Sequence, residues 1–158
     1  MKKWFIRCFW AALFAGACNT GDKTGSGSDS LTSRADELMG GRQCYLAIDG
    51  KDTVFLNLSP ARKGDVTGHM VMRLQGKPEN NGTITGQFSG DTLYADYTFT
   101  TGEKKEVFKN PMAFLKEGEK LILGVGVIET YLGRSYLSKK EPIDFVKARF
   151  RFNPATCN

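Results

Sequence analysis

The chain has 158 residues, 41% of them hydrophobic and 25% charged, with a formal net charge of +5 and a sequence pI of about 9.0. That length suits one domain with a single core. Three basic residues and no acid fall in positions 1–17; without them 19 Lys/Arg face 17 Asp/Glu, a balance too even for the concentrated basic face of a nucleic-acid binder.

Lys2, Lys3 and Arg7 precede a run from Phe9 to Ala17 that is apolar or small. The run is well short of the ~20 residues a spanning helix needs, and the pattern is that of a secretory signal. It closes on Ala15-Gly16-Ala17-Cys18, which resembles the lipobox of bacterial lipoproteins, with Ala15 where Leu is usual. The resemblance implies cleavage before Cys18, a diacylglycerol on its sulfur and a further acyl chain on its new amino group. Two acyl chains suffice for stable anchoring, since each buried CH₂ contributes ~0.8 kcal/mol. The other reading of these residues is a plain signal peptide cut after Ala17. Residues 19–30 hold no apolar side chain, so 18–30 read as a flexible, lipid-anchored linker. Residues 31–40 follow with N-cap candidates Thr32 and Ser33 and a Gly40 stop, which predicts a short helix. The folded domain is expected to run over 31–158.

From Arg42 onward the pattern has period two, the mark of strands with one buried face. Strands are predicted over 42–48, 53–58, 66–74, 83–88, 92–99, 107–116 (bent at Pro111), 121–127 and 146–152. Asp49-Gly50, Lys63-Gly64-Asp65, Ser89-Gly90-Asp91, Thr101-Gly102-Glu103 and Glu117-Gly118-Glu119 supply turn chemistry between them. Residues 132–143 carry no clear period and read as a long loop or a short extra hairpin near the barrel mouth. Gly68, Gly86, Gly124 and Gly126 lie inside the predicted strands, where they suit the bends of a closed sheet.

The fold class is therefore all-β: a closed antiparallel meander barrel of about eight strands with a short N-terminal helix. A two-sheet sandwich with its first and last strands adjacent is the alternative. Once Cys8 is lost with the signal and Cys18 lipidated, Cys44 and Cys157 remain and are expected to pair in an oxidising compartment. Bonded cysteines need Cα atoms within about 7 Å. An open meander would hold the first and last strands apart, so the disulfide and the closed barrel imply each other.

Gly90-Asp-Thr-Leu-Tyr-Ala-Asp-Tyr-Thr-Phe99, with Ala113-Phe-Leu-Lys116, resembles a segment of small Bacteroidota lipoproteins and implies no particular activity. The architecture is also similar to lipocalin-like (calycin) barrels, which implies a small apolar ligand. The Gly-x-Trp of that family is missing, since Gly41-Arg42-Gln43 holds no Trp. Fold analogy does not carry function.

Candidate sites are few. The inward set Met70, Met72, Phe88, Tyr97, Phe99, Phe150 and Phe152 would line a ligand space if the barrel is hollow, and would fill it otherwise. His69, the single imidazole, is expected to face outward, as is Asp96; Asp91 reads as a turn residue. Lys147, Arg149 and Arg151 form a basic stripe, and Tyr94, Tyr131 and Tyr136 read as exposed aromatics. Catalytic residues, metal and cofactor are not expected: the two distant cysteines and one histidine lack zinc-site spacing. The chain is expected to be a monomeric cell-envelope lipoprotein of the outer membrane, held there by its N-terminal lipid. It would act as a binding or structural module, with capture of a small apolar ligand as its sharpest form. An envelope hydrolase on the same scaffold is the alternative.

Overall fold

A computed structural model describes residues 41–103 and 106–157. Cys18 and the expected signal, linker and helix over 31–40 lie outside the described residues. The described chain forms β1 (Gln43–Asp49), β2 (Asp52–Pro60), β3 (Asp65–Arg73), β4 (Asn80–Ser89), β5 (Thr92–Thr101), β6 (Val107–Glu117), β7 (Lys120–Leu123), β8 (Ile128–Tyr131), β9 (Arg134–Leu137) and β10 (Arg151–Ala155). Eight strands close into an antiparallel barrel in the order β1-β10-β7-β6-β5-β4-β3-β2, while β8 and β9 form a separate hairpin.

Closure rests on β1 against β10, with Cys44 opposite Ala155 and Leu46 opposite Asn153. The disulfide between Cys44 and Cys157 spans this seam, its Cα atoms 5.2 Å apart across 113 residues of sequence. The sandwich alternative is excluded by the continuous ring of pairings.

Alternation places Val54, Leu56 and Leu58 of β2, Leu93, Ala95, Tyr97 and Phe99 of β5, and Phe152 of β10 in one buried cluster. Each fully buried Leu, Ile or Phe side chain contributes about 1.5–3 kcal/mol, so this cluster is the main source of stability. Two glycines let the sheet curve tightly. A Cβ on Gly82 would fall 2.1 Å from the Thr98 carbonyl oxygen, and one on Gly86 would fall 2.3 Å from that of Tyr94. Both clashes are with backbone, which cannot swing aside.

Two predicted strands are shorter than expected, and each has a local cause. The strand over 121–127 stops at Leu123: Val125 pairs instead with Asp144, its N–H donating to the Asp144 carbonyl at 2.8 Å. Val125 and Val127 consequently lie exposed. Gly124 and Gly126 make room for this detour rather than for barrel curvature. Added Cβ atoms would meet the side chains of Ile143 and Phe145 at Gly124, and of Leu137 at Gly126. The last strand begins at Arg151 rather than Val146. The Asp144 carboxylate accepts from the N–H groups of Val146 and Lys147 at 2.9 and 3.0 Å. This side-chain turn competes with the ladder, and Val146 ends 87% exposed.

Replacing Cys44 and Cys157 by Ala removes a constraint on a loop of more than 100 residues. The double variant is expected to lose about 2–5 kcal/mol in urea unfolding, with near-native circular dichroism if the β1–β10 pairing is sound without the bond.

A candidate binding cleft on the barrel flank

The inward set, which would either line a ligand space or fill the barrel, is packed against itself. Met70, Tyr97, Phe99, Phe150 and Phe152 belong to the buried cluster, with Met72 and Phe88 packed on it. Tyr97 stacks on Phe99 at 4.5 Å between ring centroids, and Phe114 meets Phe152 edge-on at 5.8 Å. The Tyr97 hydroxyl donates to the Met70 carbonyl at 3.0 Å, so its one polar atom is satisfied inside the core. Burial raises the Tyr97 phenol well above its ordinary value.

The groups considered for catalysis are dispersed. His69 faces outward, its Nε2 2.7 Å from Asn81 Oδ1. Asp96 pairs with Lys109 at 2.8 Å on the outer face. Asp91 sits in the β4–β5 turn, five residues along and hence roughly 16 Å away in extended chain, too far for paired carboxylate chemistry. Among the described residues no cluster of three or more His, Cys, Asp or Glu is placed to hold a metal ion.

In the basic stripe over 147–151, Lys147 and Arg149 have acidic partners and Arg151 has carbonyl acceptors only. Lys147 pairs with Asp144, and the Arg151 guanidinium donates to the carbonyls of Phe145 and Val146. Arg149 binds both Asp49 and Asp52, and its guanidinium lies 5.0 Å from the centre of the Phe150 ring. Asp52 is a buried carboxylate, 7% exposed, and its Oδ1 also accepts from the Gln75 N–H at 2.6 Å. Arg149 thus ties the β1–β2 turn and the loop after β3 to the entry of β10. These contacts, the Gln75 N–H first and Arg149 next, hold the Asp52 carboxyl below its ordinary value.

Among the described residues a large concavity lies outside the barrel. Between the outer faces of β4, β5 and β6 and the segment from Ser135 to Phe145 runs an open cleft of about 920 Å³. Alternation turns Gln87 of β4 and its cross-strand partner Tyr94 of β5 outward into it. The facing wall brings Tyr136 of β9, with Ile143 and Phe145 from the loop that follows. Tyr94 and Tyr136 keep 48% and 41% of their surface accessible, so both rings are available to a ligand. Tyr131 lies outside this cleft.

The far wall is held in shape by Glu129 of β8. Its carboxylate accepts from the Ser138 and Tyr136 hydroxyls at 2.7 and 3.1 Å, and Lys140 lies 3.5 Å away. The Ser138 hydrogen bond, then that of Tyr136, holds Glu129 below its ordinary value, and the same bond raises the Tyr136 phenol. The Tyr136 hydroxyl is thereby fixed while its ring edge and face remain at the cleft. Sequence reading found both tyrosines separately but not their convergence, because the wall from 135 to 145 has no periodicity that would place it across from β5.

Comparison with known protein families, with curated proteins and with solved structures finds no match. The functional reading therefore stands on this chain's own geometry and sequence.

A carboxylate with a depressed folded value adds stability that is complete above its unfolded value of about 3.9 and is lost as pH falls through the folded value. Asp52 has that sign, so unfolding free energy is expected to fall from about pH 4 downward. In urea unfolding at pH 7 and pH 3, Asp52→Asn should show the smaller difference between the two conditions.

Proposed function

We propose that this chain is a lipid-anchored outer-membrane protein of the cell envelope, tethered through Cys18. It acts as a binding module that holds a small, partly apolar ligand in the flank cleft. The observation that carries this reading is the contrast between interior and flank. The seven large inward side chains pack on one another or on the core cluster, whereas the 920 Å³ cleft presents two accessible tyrosine rings beside polar groups. Small-molecule sites are typically concave and mostly apolar, with a few placed polar groups. In this reading the filled barrel is the rigid support, and β9 with its following loop supplies the second wall. Residues 31–40, read as a short helix, connect the tether to the barrel.

Tethering is tested by fractionation and mass spectrometry. The mature chain is expected in the membrane fraction, with diacylglycerol and acyl mass on Cys18, and Cys18→Ser in the soluble fraction; an unmodified Cys18 in mature wild-type protein refutes the anchor. The ligand reading is tested with a fluorescent fatty-acid probe. Tyr94→Ala combined with Tyr136→Ala is expected to weaken probe binding by roughly tenfold or more, from lost aromatic contact. Binding that survives this pair but is lost with Tyr97→Ala would move the ligand into the barrel.

A further inference from the structure

The β8–β9 hairpin ends in a chemically unusual tip. Tyr131 pairs with Arg134, leaving Leu132-Gly133 as a two-residue turn with φ of 49° and 75°. A turn with two positive φ values favours Asn-Gly or Asp-Gly, because a short polar side chain tolerates that backbone. A bulky aliphatic side chain there is a genuine outlier. Leu132 is nevertheless 85% exposed and Tyr131 67% exposed, with Ile128 at 48% at the base of the hairpin. The turn thus accepts backbone strain to present an apolar group to the outside, and such strain is informative when local packing does not explain it.

The tip is graded by polarity. Leu132 lies at the apex, and Tyr131 and Arg134 stand side by side one position back. Among the described residues Arg134 has no ion-pair partner. An aliphatic apex followed by an aromatic hydroxyl and a free cation matches the layering of a bilayer surface. Acyl chains lie deepest there, tyrosine prefers the head-group level, and arginine reaches lipid phosphate.

We infer that the hairpin tip, Tyr131 to Arg134, is a membrane-docking wedge that inserts Leu132 into the lipid surface and sets the domain's orientation on it. The inference rests on the lipid-anchored reading only for nearness to a bilayer. A single weak membrane signal binds reversibly, and a second one adds to it. With the tip docked, the flank cleft, whose far wall continues from β9, would be held at a defined height above the membrane.

The chain carries its two tryptophans at positions 4 and 10, so Trp4→Phe with Trp10→Phe makes an indole-free background. In it Leu132→Trp reports on the tip, and Val107→Trp, at an exposed apolar position of the barrel wall, reports on the rest. Phosphatidylcholine vesicles, with and without phosphatidylglycerol, carry bromine on their acyl chains as quencher. Leu132→Trp emission is expected to shift to the blue and fall by about half or more, as suits burial at the head-group boundary, with Val107→Trp unchanged. Tyr131→Trp should be quenched less than Leu132→Trp, and it serves as the reporter if the apex substitution disturbs folding. Equal quenching of the tip and wall reporters overturns the inference. So does a tip that keeps its buffer spectrum on vesicles, the result a protein-docking tip would give. The mass of Cys18 in the same samples separates the two readings. A quenched tip on an unlipidated chain removes the anchor and keeps the wedge; an unquenched tip on a lipidated chain removes the wedge and keeps the anchor.

Discussion

The pairing of β1 with β10 is the constraint on which the rest of this structure depends. Without it the sheet would have two open edges and the inward side chains would face water along one margin. With it the alternating pattern of every strand points to one axis and the core becomes continuous. The seam is only three residue pairs long, short for a contact that closes eight strands. The disulfide adds a covalent link at one end of β1, and Arg149 with Asp49 and Asp52 adds an ionic one at the other. The two links answer to different chemistry, disulfide reduction at one rim and protonation of the Asp52 carboxylate at the other.

Much of the barrel was legible in the chain because its strands obey a simple rule. Tyr97 and Phe99 alternate with Asp96 and Thr98, and both sets lie where period two puts them. The Asp49-Gly50, Ser89-Gly90-Asp91 and Glu117-Gly118-Glu119 stretches turn where glycine and acids suggest. With Cys18 set aside by the lipobox resemblance, the cysteines at 44 and 157 pointed to closure through the short Cα separation that a disulfide requires. The ends of β7 and β10 were misjudged because Val125, Val127 and Val146 look like strand residues. What decides their placement is the Asp144 carboxylate and a backbone bridge to Val125, contacts that no local period encodes.

The cleft was the least legible part. Its near wall consists of outward strand residues, which sequence reading assigns to solvent. Its far wall is a segment of low periodicity whose shape depends on one carboxylate accepting from two hydroxyls. Tyr94 and Tyr136 are 42 positions apart in the chain and converge through the fold alone. The Leu132-Gly133 turn was hidden for a related reason: leucine is not a turn-forming residue, and its place at the apex is visible only once the Tyr131 and Arg134 pairing is known.

The excursion from Gly124 to Phe150 leaves the barrel beside β10 and returns to it there, since β7 and β10 are direct neighbours. Loop-closure cost rises slowly with length, so the part of this excursion from Val125 to Ala148, short of Arg149 on the rim and Phe150 in the core, can lengthen, shorten or be exchanged while the eight staves keep their pairings. The molecule can thus be seen as a chassis with one replaceable attachment. Variation among descendants of such a chain would concentrate there, and grafting a foreign hairpin between Gly124 and Arg149 would be the natural way to re-equip it.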